Sequence, residues 1–171
     1  GKTGSLLSKV TGASMTDGDF LETFARIYAT RSTIANQLVL TFSQADVERL
    51  TPGAWQALGD MQAFGFRFAL DRIEHLDMDF AGLAGRGFAF VKLPASALVE
   101  GVPSRDRFIE PHEACKQLAG AGLTLVAETI DDEALRARVF GFGVLLGQGQ
   151  LFGGARHIGV DPVPGGNRSE A

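Results

Sequence analysis

Five polar residues stand at the ends of apolar runs: Thr41, Asp71, Lys92, Glu128 and Gln148. A lysine, two carboxylates and an amide gathered at one mouth form a mixed-charge constellation of the kind that shifts acid strengths and binds anions or metals. Taken singly each has a plainer reading, because a strand must end somewhere and its end is usually wet. The stretch from Gly147 to Arg156 follows the last run and adds four glycines and one arginine. Glycines let backbone N–H groups approach an anion closely, so Gly149 and Arg156 join the candidates, with a flexible exit from the strand as the bland alternative. The spacing matches neither GxGxxG nor a Walker A loop, which leaves a dinucleotide fold and an NTPase unsupported.

Whether these groups meet depends on the elements that carry them. Runs rich in Val, Leu and Phe alternate with stretches whose apolar residues recur at three and four, the pattern of βα units around a parallel sheet. The predicted strands are Leu38 to Phe42, Phe66 to Asp71, Phe88 to Leu93, Leu123 to Glu128 and Val144 to Gln148, with a weaker one at Leu6 to Thr11. Helices are predicted over Asp19 to Thr30, Pro52 to Phe64, Pro111 to Ala119 and Asp131 to Phe140. Thr51 before Pro52 suits a helix start, as does Asp17 for the first helix. Near-continuous apolar character in Leu123-Thr-Leu-Val-Ala indicates strands covered on both faces. In such a sheet all strand ends open on one side.

A (β/α)₈ barrel needs about 250 residues, so by that arithmetic this chain supplies about six units. The expected fold class is therefore α/β, an incomplete or modified TIM-like barrel. Residues 1–159 form the expected domain, and the Pro- and Gly-rich 160–171 segment a frayed tail.

The chain has 171 residues, 45% of them hydrophobic and 21% charged, with a formal net charge of -4. That suits one globular domain and argues against a broadly basic surface for a nucleic-acid polymer. One cysteine, Cys115, excludes an internal disulfide, and His75, His112 and His157 offer no zinc spacing. No membrane span or secretory signal is read, and a cytoplasmic location is expected. Trp55 and Phe64 sit at helical spacing and are expected in the core. Cys115 has no evident base nearby, and Glu110, His112 and Glu113 read as a helix start rather than an acid–base site.

In order and spacing, Phe68-Ala-Leu-Asp71, Phe90-Val-Lys92, Leu125-Val-Ala-Glu128 and Gly147-Gln148-Gly149 resemble the EAL domain, the TIM-barrel phosphodiesterase family of cyclic di-GMP. Leu38-Val-Leu-Thr-Phe-Ser-Gln44 is similar to the family's Leu-Glu-Leu-Thr-Glu-Ser segment. The resemblance implies an EAL-type barrel and a phosphodiester site that works with bound Mg²⁺ or Mn²⁺. It also marks departures. The segment with the signature Glu-Ala-Leu has no counterpart, and the family's Asn-Leu-Ser falls on Lys9-Val10-Thr11. The metal-ligand Glu falls on Thr41 and a second Glu on Gln44. Asp71 stands with Arg72 where the family has an Asp pair, and Ile73-Glu74-His75-Leu76 replaces the family's Phe-Gly-Thr-Gly loop.

Two-metal hydrolysis needs several anionic oxygen ligands, and Thr, Gln and Arg remove negative charge from the set. Arg72 can instead offer bidentate hydrogen bonds to a phosphate, or pair on the surface with Glu74 or Asp79. The expectation is a catalytically inactive EAL-like domain that receives cyclic di-GMP through Asp71, Arg72, Lys92, Glu128, Gln148, Gly149 and Arg156, without Mg²⁺ or Mn²⁺. Gly65-Phe-Arg-Phe-Ala-Leu-Asp71 and Ser43-Gln44 look most similar to the TipF-type branch of alphaproteobacterial flagellar regulators. The alternatives are a protein-interaction scaffold that no longer binds nucleotide and an active phosphodiesterase.

Overall fold

The computed structural model describes residues 6–15, 17, 24 and 38–152. The predicted helix at Asp19 to Thr30, apart from Phe24, and the 160–171 tail lie outside them. Among the described residues there are eight strands: β1 (Leu6–Lys9), β2 (Leu38–Ser43), β3 (Arg67–Asp71), β4 (Phe88–Pro94), β5 (Val102–Pro103), β6 (Phe108–Ile109), β7 (Thr124–Glu128) and β8 (Leu146–Gly147). Six form one sheet in the order β1-β2-β3-β4-β7-β8, every pair parallel. The strands of this sheet follow one another in chain order, with β7 beside β4, and the sheet curls into half a barrel. The remaining two strands make a small antiparallel hairpin that the sequence pattern did not reveal.

Helices cover the convex face: α1 (Gln44–Glu48), α2 (Pro52–Ala63), α3 (Phe80–Gly85), α4 (Ala97–Glu100), α5 (Pro111–Gly120) and α6 (Glu133–Gly141). Local chemistry sets their starts. The side chains of Ser43, Thr51, Asp79 and Asp132 accept backbone N–H groups at the starts of α1, α2, α3 and α6, and Pro52 opens α2 at a position whose N–H would have no helical partner. Leu40, Phe42, Phe68, Leu70, Phe88, Val91 and Leu93 join Leu58, Met61, Leu83, Leu118 and Val139 in one buried core. Phe68 sits at its centre, with ring centroids 5.9 Å from Phe42 and 5.4 Å from Phe88.

Two sequence expectations are corrected. Phe64 is 62% exposed rather than buried, because it is the residue that ends α2 and its side chain has turned off the apolar stripe. The run Val144 to Gln148 yields only a two-residue strand, with Leu145 and Leu146 exposed.

The concave face follows from strand alternation. Val39, Thr41 and Ser43 alternate with the core residues Leu40 and Phe42 and lie beside Arg67, Ala69 and Asp71 in register. One irregularity decides what joins them. Phe68 pairs with Phe88, but Ala69 pairs with Phe90 and Leu70 with Val91, so β4 carries one extra residue. A one-residue slip moves every later side chain to the other face. The bulge therefore puts Phe90, whose ring lies 5.4 Å from the Arg67 guanidinium carbon, and Lys92 on the concave face.

At the β2–α1 junction Ser43 Oγ donates to Asp46 Oδ2 at 2.5 Å. That bond, aided by N–H contacts and by Arg72, holds the Asp46 carboxyl below its ordinary value of 3.8 against a smaller opposing effect of burial. A depressed carboxyl stabilises the fold in full above pH 3.8 and loses that contribution as pH falls through its lower folded value. Ser43→Ala is expected to return the Asp46 titration, followed by carboxyl NMR, toward 3.8. In the core, Phe68→Ala is expected to lower the unfolding free energy in urea by about 3–5 kcal/mol.

Candidate functional site

Four of the strand-end residues meet at one rim. Lys92 on β4 is 7% exposed, and its Nζ lies 3.9 Å from Asp71 Oδ2 on β3 and in direct contact with Glu128 Oε1 on β7. Gln148, just past β8, donates its Nε2 to Glu128 Oε1 at 2.7 Å. One ammonium and one amide thus join the ends of four consecutive strands. The parallel register places Pro94 beside Glu128 and Ala127 beside Gly147, which sets the heights at which these side chains emerge.

The backbone just beyond this rim is strained at two places. Arg72 has φ 48° and Thr129 has φ 58°, both left-handed, and each follows one of the two carboxylates. Left-handed backbone costs about 1–2 kcal/mol for a residue with a Cβ and suits a β-branched residue worst. The Asp71 carboxylate holds the first by accepting the Arg72 N–H at 2.6 Å. Gly149 follows Gln148 in the same manner, and a Cβ there would collide with the Ile130 backbone nitrogen and oxygen. Its glycine is thus required by packing. Arg156 lies outside the described residues.

Arg72 is exposed, and the ion pairs among the described residues include none from it to Glu74 or Asp79. Its charge instead acts on Asp46, across the rim from β3. Thr41 is buried on β2, and its Oγ1 has no hydrogen-bond partner.

Gln44 was legible only as a residue lacking charge, and the structure gives it a specific task. Only 1% exposed, its Oε1 accepts the N–H groups of Glu74 at 2.6 Å and His75 at 3.2 Å. Its Nε2 donates to the His75 carbonyl and to Glu48 Oε1, each at 3.1 Å. The loop from Arg72 to Asp79 is thereby latched to α1. On its other side, Asp77 accepts Ser104 Oγ and the Arg105 N–H, each at 2.7 Å, tying the loop to the β5–β6 hairpin.

The remaining candidates have structural roles. Glu113 pairs with Arg107 at 2.8 Å on the surface. Burial pushes the Cys115 thiol up, away from the thiolate a nucleophile needs. Among the described residues no helix is long and apolar enough to cross a membrane.

A curled parallel sheet with charged strand ends converging on its concave side invites comparison with known proteins. A family model for the EAL domain matches residues 4–155. This chain belongs to the EAL domain family. Among solved structures it is similar to the FimX EAL domain of Xanthomonas citri in complex with c-diGMP, at 24% identity and a TM-score of 0.69, covering 88% of this chain and 60% of that one. The EAL domain of Mycobacterium smegmatis DcpA is similar at 21% identity and a TM-score of 0.69, over 88% of this chain and 67% of that one. The EAL enzyme Bd1971, solved with cAMP and cyclic-di-GMP bound, aligns at 15% identity and a TM-score of 0.68, over 86% of this chain and 39% of that one. No curated protein matches. The likenesses establish the fold as that of an EAL barrel, of which the chain spans between 39% and 67% of the length of these three relatives.

Two tests follow for this EAL domain. Gln44→Ala removes a buried amide from several partners, so a loss of about 1–3 kcal/mol is expected, with faster amide exchange at Glu74 and His75 as the local signature. Thr129→Gly relieves the left-handed strain at a smaller entropic cost in the unfolded chain, so a net gain of up to about 1 kcal/mol in urea unfolding is expected.

Proposed function

We propose that this EAL domain receives cyclic di-GMP without hydrolysing it and without Mg²⁺ or Mn²⁺. The observation that carries the reading is the neutral Thr41 side chain buried on the concave face, where the resemblance has a metal-ligand carboxylate. A divalent ion needs free anionic oxygens at about 2.0–2.2 Å, and both carboxylates at the rim already neutralise a buried cation. Arg72 adds a fixed positive charge beside Asp71, and Thr41 offers a neutral hydroxyl where the family resemblance has a carboxylate. Among the described residues no three His, Cys, Asp or Glu side chains cluster to hold a metal. The residues present do not fit the metal ions that the family implies, and this donor set supports no hydrolytic step that depends on them.

The same groups suit an anionic ligand. Arg72 provides charge and can bond phosphate oxygens in pairs, and Gln148 supplies an amide at the rim. In sequence, Gly149 and Arg156 follow β8 and complete the proposed set. Support from relatives is that several solved EAL domains of this shape are described with the dinucleotide bound. A flagellar or motility role of the TipF type, in the cytoplasm, with protein partners on the barrel helices, completes the reading and rests on the sequence likeness alone.

A second reading has its own observation. Leu145, Leu146, Leu151 and Phe152 are 76%, 44%, 37% and 54% exposed around β8, an apolar strip of the sort that docks another protein. Calorimetric titration with cyclic di-GMP separates the readings. The receptor is expected to bind saturably and equally well in EDTA, to release no linear dinucleotide in Mg²⁺ or Mn²⁺, and to lose at least about tenfold in affinity in Lys92→Ala. Absence of heat would leave the docking scaffold, and appearance of the linear product would restore the phosphodiesterase.

A further inference from the structure

The concave face holds one buried polar atom that nothing in the described structure satisfies. Thr41 is 4% exposed, and its Oγ1 has no hydrogen-bond partner. Leaving a hydroxyl in that condition costs free energy, and native proteins rarely accept the cost without return. The position is specific. Thr41 shares its face with Ser43 and, across the β2–β3 register, with Ala69 and Asp71. Ala69, the register partner of Thr41 on β3, is fully buried and presents only a methyl group.

On the other side, Lys9 of β1 is the register partner of Thr41, which in a parallel pair puts both side chains on one face about 4.8 Å apart along the hydrogen-bonding direction. Lys9 is exposed at the sheet edge. Its ammonium stands on a long flexible stem, so it can follow a charge held at Thr41. A hydroxyl donor lacking a partner and a neighbouring mobile cation form an arrangement for an anionic oxygen.

We infer that Thr41 Oγ1 and Lys9 bind a phosphate oxygen of the ligand directly, supplying by hydroxyl and ammonium the positive environment that a divalent ion would otherwise provide. The inference deepens the receptor reading and rests on it. It adds two residues that neither the rim geometry nor the strand-end pattern selects as a pair, and it makes the orphaned hydroxyl a group prepared for the bound state. Apolar replacement of such a group has an unusual signature. Removing an unsatisfied hydroxyl while keeping its shape should leave the free protein as stable or more so, while the bound state loses a charge-assisted hydrogen bond.

The test is a titration of the full chain with cyclic di-GMP in EDTA, paired with thermal melts of each ligand-free protein. Thr41→Val is expected to bind about tenfold more weakly, the effect of losing one hydrogen bond to a charged group, and to melt no lower than the parent. Thr41→Ser, which keeps the hydroxyl, is expected to retain binding. Lys9→Met is expected to weaken binding and flatten its dependence on salt. Undiminished binding by Thr41→Val overturns the inference while leaving the receptor intact. A Thr41→Val protein that melts several degrees lower, with Thr41→Ser unaffected, overturns it by showing that the hydroxyl serves the fold. If the parent chain binds no cyclic di-GMP while its melt shows it folded, the receptor reading and this inference fall together.

Discussion

A buried ammonium has to be neutralised where it stands, and at the rim of this half-barrel that requirement ties four strands together. Lys92 is shielded from water, so Asp71 and Glu128 must stay close to it, and Gln148 fixes the orientation of Glu128. Removing one partner of such a set leaves an uncompensated buried charge, which is far more damaging than the set is stabilising. The arrangement therefore constrains the relative heights of β3, β4, β7 and β8 more than it strengthens them. It depends on the bulge opposite Phe68 and Ala69, because without the extra residue on β4 Lys92 would point into the helix-covered core.

That bulge also marks the limit of what the sequence conveyed. Strands β2, β3, β4 and β7 were legible because each is a short run of nearly continuous apolar residues, though β7 is only partly buried, and the caps at Thr51 and Pro52 were legible because their chemistry is local. The convergence of Asp71, Lys92, Glu128 and Gln148 followed from topology alone, since the ends of parallel strands share one side. Their contacts did not follow, because a register shift leaves no trace in composition. The β8 region was overread for a related reason: Val144-Leu-Leu has the character of a buried strand, but it lies at the edge of the described sheet, where Leu145 and Leu146 face solvent. Phe64 failed in the opposite way, since helical periodicity cannot tell the last core position from the residue that ends the helix.

Strain completes the rim. Both carboxylates are followed by a left-handed residue with a side chain, and Gln148 by a glycine held against Ile130. The chain thus turns sharply just after each of the three rim side chains Asp71, Glu128 and Gln148. Such conformations survive only where the surroundings over-determine them. At Arg72 the surroundings are the Asp71 carboxylate in front and the latched loop behind, with Gln44 and Asp77 securing it from two sides.

The departures from the family pattern have unlike physical consequences, and the difference bears on function. Gln44 has become part of the structure: it donates from its amide nitrogen to Glu48 and to the His75 carbonyl, which no carboxylate could do, and a Glu there would face Glu48 one helical turn away. Arg72 is exposed, and its charge is only one of the smaller influences that lower the Asp46 carboxyl. Among the described residues, Thr41 alone has a buried side chain left with an unmade bond. Drift toward a purely structural role would be expected to remove that hydroxyl, because valine has the same shape without the desolvation cost. The Thr41 hydroxyl, on the concave face with Lys9 as its register partner, is the group that the inferred phosphate contact would satisfy.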